Sequence, residues 1–254
     1  MTAWFRGARA RSAAVVGAVC VVLAIMITGC GSKDPDEGTN GVGRLPATEI
    51  EGRARKAAQA AESVRLSGSV VSEGRTYRLD MRLRSDGGLG EVSAKGGPRF
   101  ELLRIGEDLY LKAGADFWVH QERDGGEPTE AGREVSRKLE DKYVKVPPGD
   151  PAYKQLSGFT DKDVLLDGLL TLQGERETGG RSEIEGVRTI EVRAGAGNGG
   201  ILSVALIGRP YPLRLERGGG AGVVQLMEWD KEFTLRAPKK DQIVDYGRTI
   251  SAGE

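Results

Sequence analysis

Apolar and polar positions alternate most regularly along residues 76–84, which read TYRLDMRLR. A period of two places successive side chains on opposite faces of a β-strand. One face of this segment is therefore apolar and the other is charged, which predicts an antiparallel strand with one buried face. The apolar face consists of Tyr77, Leu79, Met81 and Leu83.

Shorter runs of the same kind lie on both sides of this segment, and turns that contain glycine separate them. Short turns join antiparallel neighbours, so the pattern predicts a meander of about ten or eleven strands. Strands and helices do not alternate regularly along the chain, so a parallel sheet is not predicted. The strand-like segments are 66–72, 76–84, 89–94, 99–105, 108–113, 117–121, 143–146, 188–193, 201–207, 212–216, 222–229 and 232–235.

One principal helix is predicted before the first strand. Thr48 and Glu51 have the spacing of a capping box, and a helical stripe follows them. The stripe is narrow and rich in alanine, so the helix can lie close against a sheet. Shorter helices are predicted at 131–140 and at 163–170, the latter capped by Thr160 or Asp161. The stripe consists of Ile50, Ala54, Ala57, Ala58, Ala61 and Val64.

The longest apolar run, residues 12–27, follows three arginines and is shorter than the ~20 residues that a membrane-spanning helix needs. It ends in Ile27-Thr28-Gly29-Cys30, which resembles the bacterial lipoprotein box. The resemblance implies that residues 1–29 are a cleaved signal peptide and that Cys30 carries diacylglycerol and an acyl chain. The protein is then held at the extracytoplasmic face of the cell membrane. The alternative is an N-terminal anchor helix with an incidental cysteine.

Removal of residues 1–29 changes the charge balance little. Three arginines and no acids are lost from 37 basic and 37 acidic residues, which leaves 34 against 37. This balance excludes the basic surface that nucleic-acid binding favours. Cys20 leaves with the signal, so Cys30 is the only cysteine of the mature chain and no internal disulfide forms. Residues 30–44 predict a flexible tether, and residues 45–250 one folded, monomeric domain.

Motifs that would indicate catalysis have simpler interpretations. Residues 195–200 match G-x-G-x-x-G, but a strand pattern follows them instead of the helix that a dinucleotide site requires, so we interpret them as a hairpin turn. His120 is the only histidine, and alternation places it with Trp118 at a sheet surface or rim. No pair of carboxylates stands out. The sequence therefore predicts no enzyme, no cofactor other than the lipid on Cys30, and no metal site.

The apolar face of the sheet leaves two alternatives open. It forms either an ordinary core that the principal helix fills, or an apolar cavity between a curved sheet and a thin helix, as in proteins that hold lipids. Alternation predicts the lining of such a cavity. Its residues are Tyr77, Leu79, Met81 and Leu83, with Leu102, Leu109, Leu111, Phe117 and Val119.

A family resemblance favours the cavity. The order of signal, lipoprotein box, tether and alanine-rich helix, followed by VRLSGSV, YRLDMRLR, IGEDLYLK, KYVKVP and EWDKEFTLRAPKKDQIVDY, resembles LppX/LprG-type lipoproteins of actinobacteria. These are distant relatives of the LolA and LolB lipoprotein carriers. The resemblance implies an α+β fold, a half-open antiparallel barrel whose concave face is covered by helices. It also implies a cavity for the acyl chains of glycolipids, phospholipids or triacylglycerol.

The leading hypothesis is thus an envelope lipoprotein that binds a lipid and carries or presents it. The second hypothesis is an envelope sensor or interaction module whose core is filled by its own side chains. An envelope hydrolase is a third, and it would need His120 to be essential for a measured activity.

Anchoring is tested by Cys30→Ser. Because the thiol is the attachment point for diacylglycerol, we expect this substitution to release the protein from the membrane fraction and to abolish incorporation of radiolabelled palmitate. An unchanged distribution and unchanged labelling would refute the anchor.

Overall fold

The computed structural model describes residues 34–72, 74–121 and 129–244, with the backbone alone at 72, 120, 121 and 131. In these residues, twelve strands form one curved, unclosed sheet, which confirms the α+β half-open barrel. The strands are β1 (Ser63–Ser72), β2 (Arg75–Arg84), β3 (Gly87–Ala94), β4 (Arg99–Ile105), β5 (Asp108–Ala113), β6 (Tyr143–Val146), β7 (Arg176–Ile184), β8 (Val187–Ala194), β9 (Gly200–Ala205), β10 (Pro212–Glu216), β11 (Gly222–Met227) and β12 (Ile243–Val244). The helices are α1 (Ala47–Ala60), α2 (Ala115–Gln121), α3 (Glu130–Leu139), α4 (Pro151–Gly158) and α5 (Lys162–Leu169).

The sheet order is β12-β6-β5-β4-β3-β2-β1-β11-β10-β9-β8-β7. Neighbouring strands are antiparallel except for β12 and β6. Strand β1 is the joint between the two halves, because it pairs with β2 on one side and with β11 on the other. The register places Leu66 opposite both Met81 and Leu226, so apolar side chains from both halves share one face.

Two glycines permit neighbouring backbones to approach closely on the helix-covered face of the sheet. Gly68 lies opposite Leu79, and Gly90 lies opposite Met81, so they flank β2. A Cβ atom at Gly68 would lie 2.2 Å from the carbonyl oxygen of Val223, and one at Gly90 would lie 2.2 Å from that of Asp80. Glycines at such positions accompany sharp bends in strongly coiled sheets.

Helix α1 packs across β7–β10 and against α5. Ile50, Ala54 and Ala58 of the predicted stripe are fully buried, which confirms an alanine-rich face for α1. The predicted continuation of the stripe is wrong, because the helix ends at Ala60 and Val64 lies in β1. The predicted capping box is wrong, because the helix begins at Ala47 after Pro46, and Glu51 binds Arg176 instead of the helix N-terminus. Of the two predicted caps for α5, Asp161 is the residue that accepts hydrogen bonds from the first turn.

Residues 36–44 belong to the folded unit and contradict a tether that is flexible up to residue 44. Asp36 is buried beside Arg181, and Val42 is 3% exposed. The backbone N–H of Asn40 donates to the carbonyl of Leu206 at 2.8 Å. Glycine and asparagine in this segment therefore form turns against the sheet, and the sequence pattern alone did not distinguish them from a linker.

The predicted strand at 232–235 is wrong. Both edges of β11 are already paired, with β1 and β10, so the following chain cannot form a hairpin on it. It instead runs from β11 along the sheet and ends in β12, which pairs with β6. On the way the Oγ of Ser63 donates to the carbonyl of Lys231, and Arg84 donates to that of Phe233.

Strand β7 was not predicted, because most of its side chains are exposed and it therefore shows no apolar alternation. It is an outer strand of the sheet, and its charges oppose pairing with other chains.

Overpacking at Ala54 tests the contact of α1 with the sheet. We expect Ala54→Leu to lower the free energy of unfolding by about 1–3 kcal/mol, because a fully buried methyl leaves no room for a larger side chain. The exposed Lys56 of the same helix gives the control, since Lys56→Leu should change stability by less than about 0.5 kcal/mol. Urea denaturation of the mature chain measures both, and equal effects would contradict this packing.

Candidate functional site

The helix-covered face of the sheet collects the side chains that alternation predicted. In β2, Leu79, Met81 and Leu83 are at most 1% exposed. Leu102 of β4 lies directly opposite Leu111 of β5, and these residues and Leu109 are also buried. All six belong to one apolar cluster that includes Ile50, Ala54 and Ala58 of α1. Their role as a lipid lining stays a prediction.

Tyr77 lies at the margin of this cluster. It is half-buried, and its ring centroid is 5.8 Å from that of Phe159, the residue that follows α4. The C-terminal end of α4 therefore covers β2 at Tyr77.

Phe117 reaches the site from a helix, because residues 117–121 lie in α2 and not in a predicted strand. Val119 lies in the same helix but outside the apolar cluster, because residues two apart in a helix point in different directions. Strand β5 already pairs with β4 and β6, so this segment has no free edge to join. The Phe117 ring packs 5.4 Å from Phe100, and Val119 is half-buried.

Trp118 was predicted at a sheet surface or rim and is fully buried instead. Its ring meets that of Phe117 edge-on at 5.0 Å, and its Nε1 donates to the carbonyl of Ala113 at 3.3 Å. Because the segment is helical, Phe117 and Trp118 both reach the core, whereas the predicted strand placed them on opposite faces. The side chain of His120 lies outside the described residues, as does Cys30.

The second half of the sheet adds core residues that the predicted lining omitted. Ile190, Val192, Leu202 and Val204 are fully buried under α1. Alternation along 188–193 and 201–207 carried this signal. Leu166 of α5 is also buried, but its short helix gave no comparable pattern.

Side chains occupy the space between sheet and helices. A Cβ atom at Gly88 would lie 2.5 Å from Leu83, and one at Gly90 would lie 2.7 Å from the sulfur of Met81. The large residues of β2 thus lie over the glycines of β3.

A buried ion pair holds α1 to β7. Arg176 Nε donates to Glu51 Oε2 at 2.6 Å, and the Glu51 side chain is 9% exposed. This hydrogen bond raises the pKa of Arg176 above its ordinary value. Arg176 also donates to the carbonyl of Leu172, so it fixes the loop that precedes β7.

The C-terminal end of α1 is held by α5. Lys162 is buried, and its Nζ donates to the carbonyl of Gln59 at 3.0 Å, where a cation complements the helix dipole. Arg55 binds Asp167 at 2.8 Å. On the other side of α5, Arg104 of β4 donates to Thr160 Oγ1 at 3.1 Å. These polar contacts lie around the apolar cluster and not within it.

A groove of about 510 Å³ lies on the opposite face of the sheet, under Thr234 and Arg236 of the C-terminal segment. Asp80, Glu91 and Glu101 form a row across β2, β3 and β4 in this groove. Each carboxylate has a cationic partner, so their mutual repulsion is offset. The partners are Arg65 for Asp80, Arg99 for Glu91 and Lys112 for Glu101.

Within the described parts of the chain, no cluster of three or more histidine, cysteine or acidic residues could hold a metal. Among the same residues, no helix has the length and apolarity needed to cross a membrane. Residues 195–199 form the turn between β8 and β9, as the hairpin interpretation predicted, and Gly200 begins β9.

Comparison with solved structures identifies the architecture. LprF from Mycobacterium bovis superposes with a TM-score of 0.52 at 17% identity, over 76% of this chain and 96% of that one. The chain has the fold of LprF. This likeness confirms the LppX/LprG-type fold that the sequence resemblance implied, and at this identity it concerns the fold alone.

Lower similarity is found to the lipoprotein LppX of Mycobacterium tuberculosis, with a TM-score of 0.43 at 14% identity over 75% of this chain and 98% of that one. An uncharacterized conserved protein from Thermus thermophilus gives 0.35 at 13% identity over 78% and 98%. No protein-family profile and no curated protein matches the sequence.

The Glu51–Arg176 pair can be tested against a surface pair on the same helix. Glu51→Ala should lower the free energy of unfolding by about 1.5–3 kcal/mol, because it removes a buried hydrogen bond to a charged group. Glu49→Ala removes only the exposed pair with Arg53 and should cost less than about 0.5 kcal/mol. Denaturant titration measures both, and similar small losses would show that the pair does not hold α1 in place.

Proposed function

We propose that the protein is an envelope lipoprotein, anchored through Cys30 to the extracytoplasmic face of the cell membrane. It binds a lipid or acyl chain between the sheet and its helices, and it carries or presents that chain. The proposal assigns it no catalytic activity. Anchoring rests on the lipoprotein box at Ile27-Thr28-Gly29-Cys30.

The observation that carries the proposal is the continuous apolar cluster between an unclosed sheet and a cover of short helices. Acyl chains need apolar volume, and each buried methylene contributes about 0.8 kcal/mol. Helix α1 contacts the core through alanines, so moving it outward uncovers apolar sheet residues while it breaks few large side-chain contacts. Binding then requires that the ion pairs of α1 with Arg176 and Asp167 rearrange.

A second candidate function is supported by the packing itself. Leu79, Met81 and Leu83 are almost completely buried by other parts of the chain, as expected for a core filled by its own side chains. A protein of this kind would act as an envelope sensor or interaction module, and the sheet would be only its scaffold.

Native mass spectrometry of the untagged mature protein, purified from its own host, separates the two functions. We expect a lipid to co-purify, since the proposed site is apolar and its occupant would dissociate slowly in water. Repeated preparations without any bound lipid would contradict the carrier and leave the interaction module.

Substitution of Met81 tests where the lipid sits. In a carrier, Met81→Trp should displace the lipid while the protein stays folded, because the ring occupies the acyl site. In a filled core the same change should cost about 1–3 kcal/mol of stability or more, since no space is present. Met227, half-buried on the other face of the sheet, provides the control Met227→Trp, which should leave bound lipid unchanged.

A further inference from the structure

The first residues of the folded unit, 36–40, contact the turn between β9 and β10. The side-chain Nδ2 of Asn40 donates to the carbonyls of Ala205 and Gly208, both at 3.0 Å. Four residues earlier, Asp36 binds Arg181 at 2.8 Å, and Arg188 donates to the carbonyl of Glu37. The chain is therefore fixed to this end of the sheet from Asp36 onward.

The distance from this point to the proposed anchor is short. Six residue steps separate Cys30 from Asp36, and a fully extended chain of that length spans about 20 Å. A tether that was flexible to residue 44 would have let the domain turn freely. The observed attachment instead keeps the β9–β10 end of the sheet next to the bilayer, if Cys30 is lipidated as proposed above.

An exposed apolar side chain lies at this end. Ile207 in the β9–β10 turn is 45% exposed. The other large apolar residues exposed in the described chain are Val164 in the first turn of α5 and Val223 in β11. Val223 pairs with Ser69, toward the opposite end of the sheet, so it is a matched position away from the tether.

Two aromatic residues lie at the same end of the sheet as Ile207. The rings of Tyr211 and Trp229 stack with centroids 4.7 Å apart and an interplanar angle of 5°. Trp229 Nε1 donates to the carbonyl of Pro212, and Tyr211 Oη donates to Asp230. This last hydrogen bond is the main reason why the pKa of Asp230 lies below its usual range. Tyrosine and tryptophan are enriched at membrane interfaces, where one end of each side chain is apolar and the other is wet.

The turn is held in shape. The backbone N–H of Ala205 donates to the carbonyl of Tyr211 at 2.9 Å, and that of Tyr211 donates to Arg209 at 2.7 Å. Asn40 binds the same turn from the N-terminal segment. Ile207 is thus exposed on a rigid support and not at the tip of a loose loop.

Charges at this end largely cancel. Arg44 and Arg181 face Asp36, and Arg209 faces Asp230. Glu37, Glu183 and Glu185 also lie here, together with the exposed Arg188. Attraction to anionic lipid is therefore weak, and apolar contact provides the attachment.

We propose that the β9–β10 turn is a membrane-docking surface: Ile207 enters the lipid interface and Tyr211 and Trp229 lie at its level. The partner is the bilayer that carries the Cys30 anchor. Docking fixes one end of the sheet on the membrane, so a lipid that leaves the bilayer meets the domain in a defined orientation.

A single-cysteine label tests the docking in the lipidated protein. Because Cys30 is blocked by its lipid, Ile207→Cys provides one free thiol for an environment-sensitive fluorophore, and Val223→Cys provides the control. The labelled proteins are reconstituted in phosphatidylcholine vesicles that contain brominated acyl chains. We expect several-fold stronger quenching at position 207 than at 223, and no loss of quenching when salt is raised.

The possible failures are distinguishable. Intact mass first establishes that Cys30 carries its lipid, and an absent lipid overturns both the anchor and the docking that rests on it. With the lipid present, equal quenching at positions 207 and 223 overturns the docking alone. Quenching that disappears in high salt overturns the apolar attachment proposed here.

Discussion

The pairing of β1 with both β2 and β11 is the constraint on which the rest of the structure depends. It joins the strands β1–β6 to the strands β7–β11, so the two groups form a single sheet with one apolar face. All the large inward residues meet there, and the helices lie on that side. It also occupies one edge of β11, and β10 occupies the other, so the remaining chain has no edge of β11 to join and continues to β6.

The cover over this face combines apolar contact with polar attachment at its rim. Alanines bring α1 close to the strands, while Glu51, Lys162 and Arg104 fasten helices to one another and to the sheet. Apolar contact is not directional, whereas ion pairs and hydrogen bonds fix position. The helices therefore have a defined position on the sheet, although they are separate and short. The proposed binding of an acyl chain would require both properties.

Strands that bury one face were readable from the sequence, because alternation marks them. The predicted limits of β4, β5, β6 and β10 agree with the structure. Strand β7 was not predicted, because its side chains are mostly exposed. Helix α2 was predicted as a strand, because the pattern of Phe117-Trp118-Val119 fits a strand as well as a helix. The inward face of β2 was predicted, but the partner of Glu51 was not, since Arg176 follows it by 125 residues. Local patterns record burial, and they do not record which distant residue completes an ion pair.

The same β1–β11 joint sets the order in which the protein can fold. Arg65 pairs with Met227, about 160 residues later, and such distant contacts fold slowly because a long loop must close first. A chain that emerges from its N-terminus forms the β1–β6 meander while one edge of β1 is still unpaired. That edge stays open to other chains until β11 arrives. Folding of the sheet is therefore complete only after β11 has been delivered.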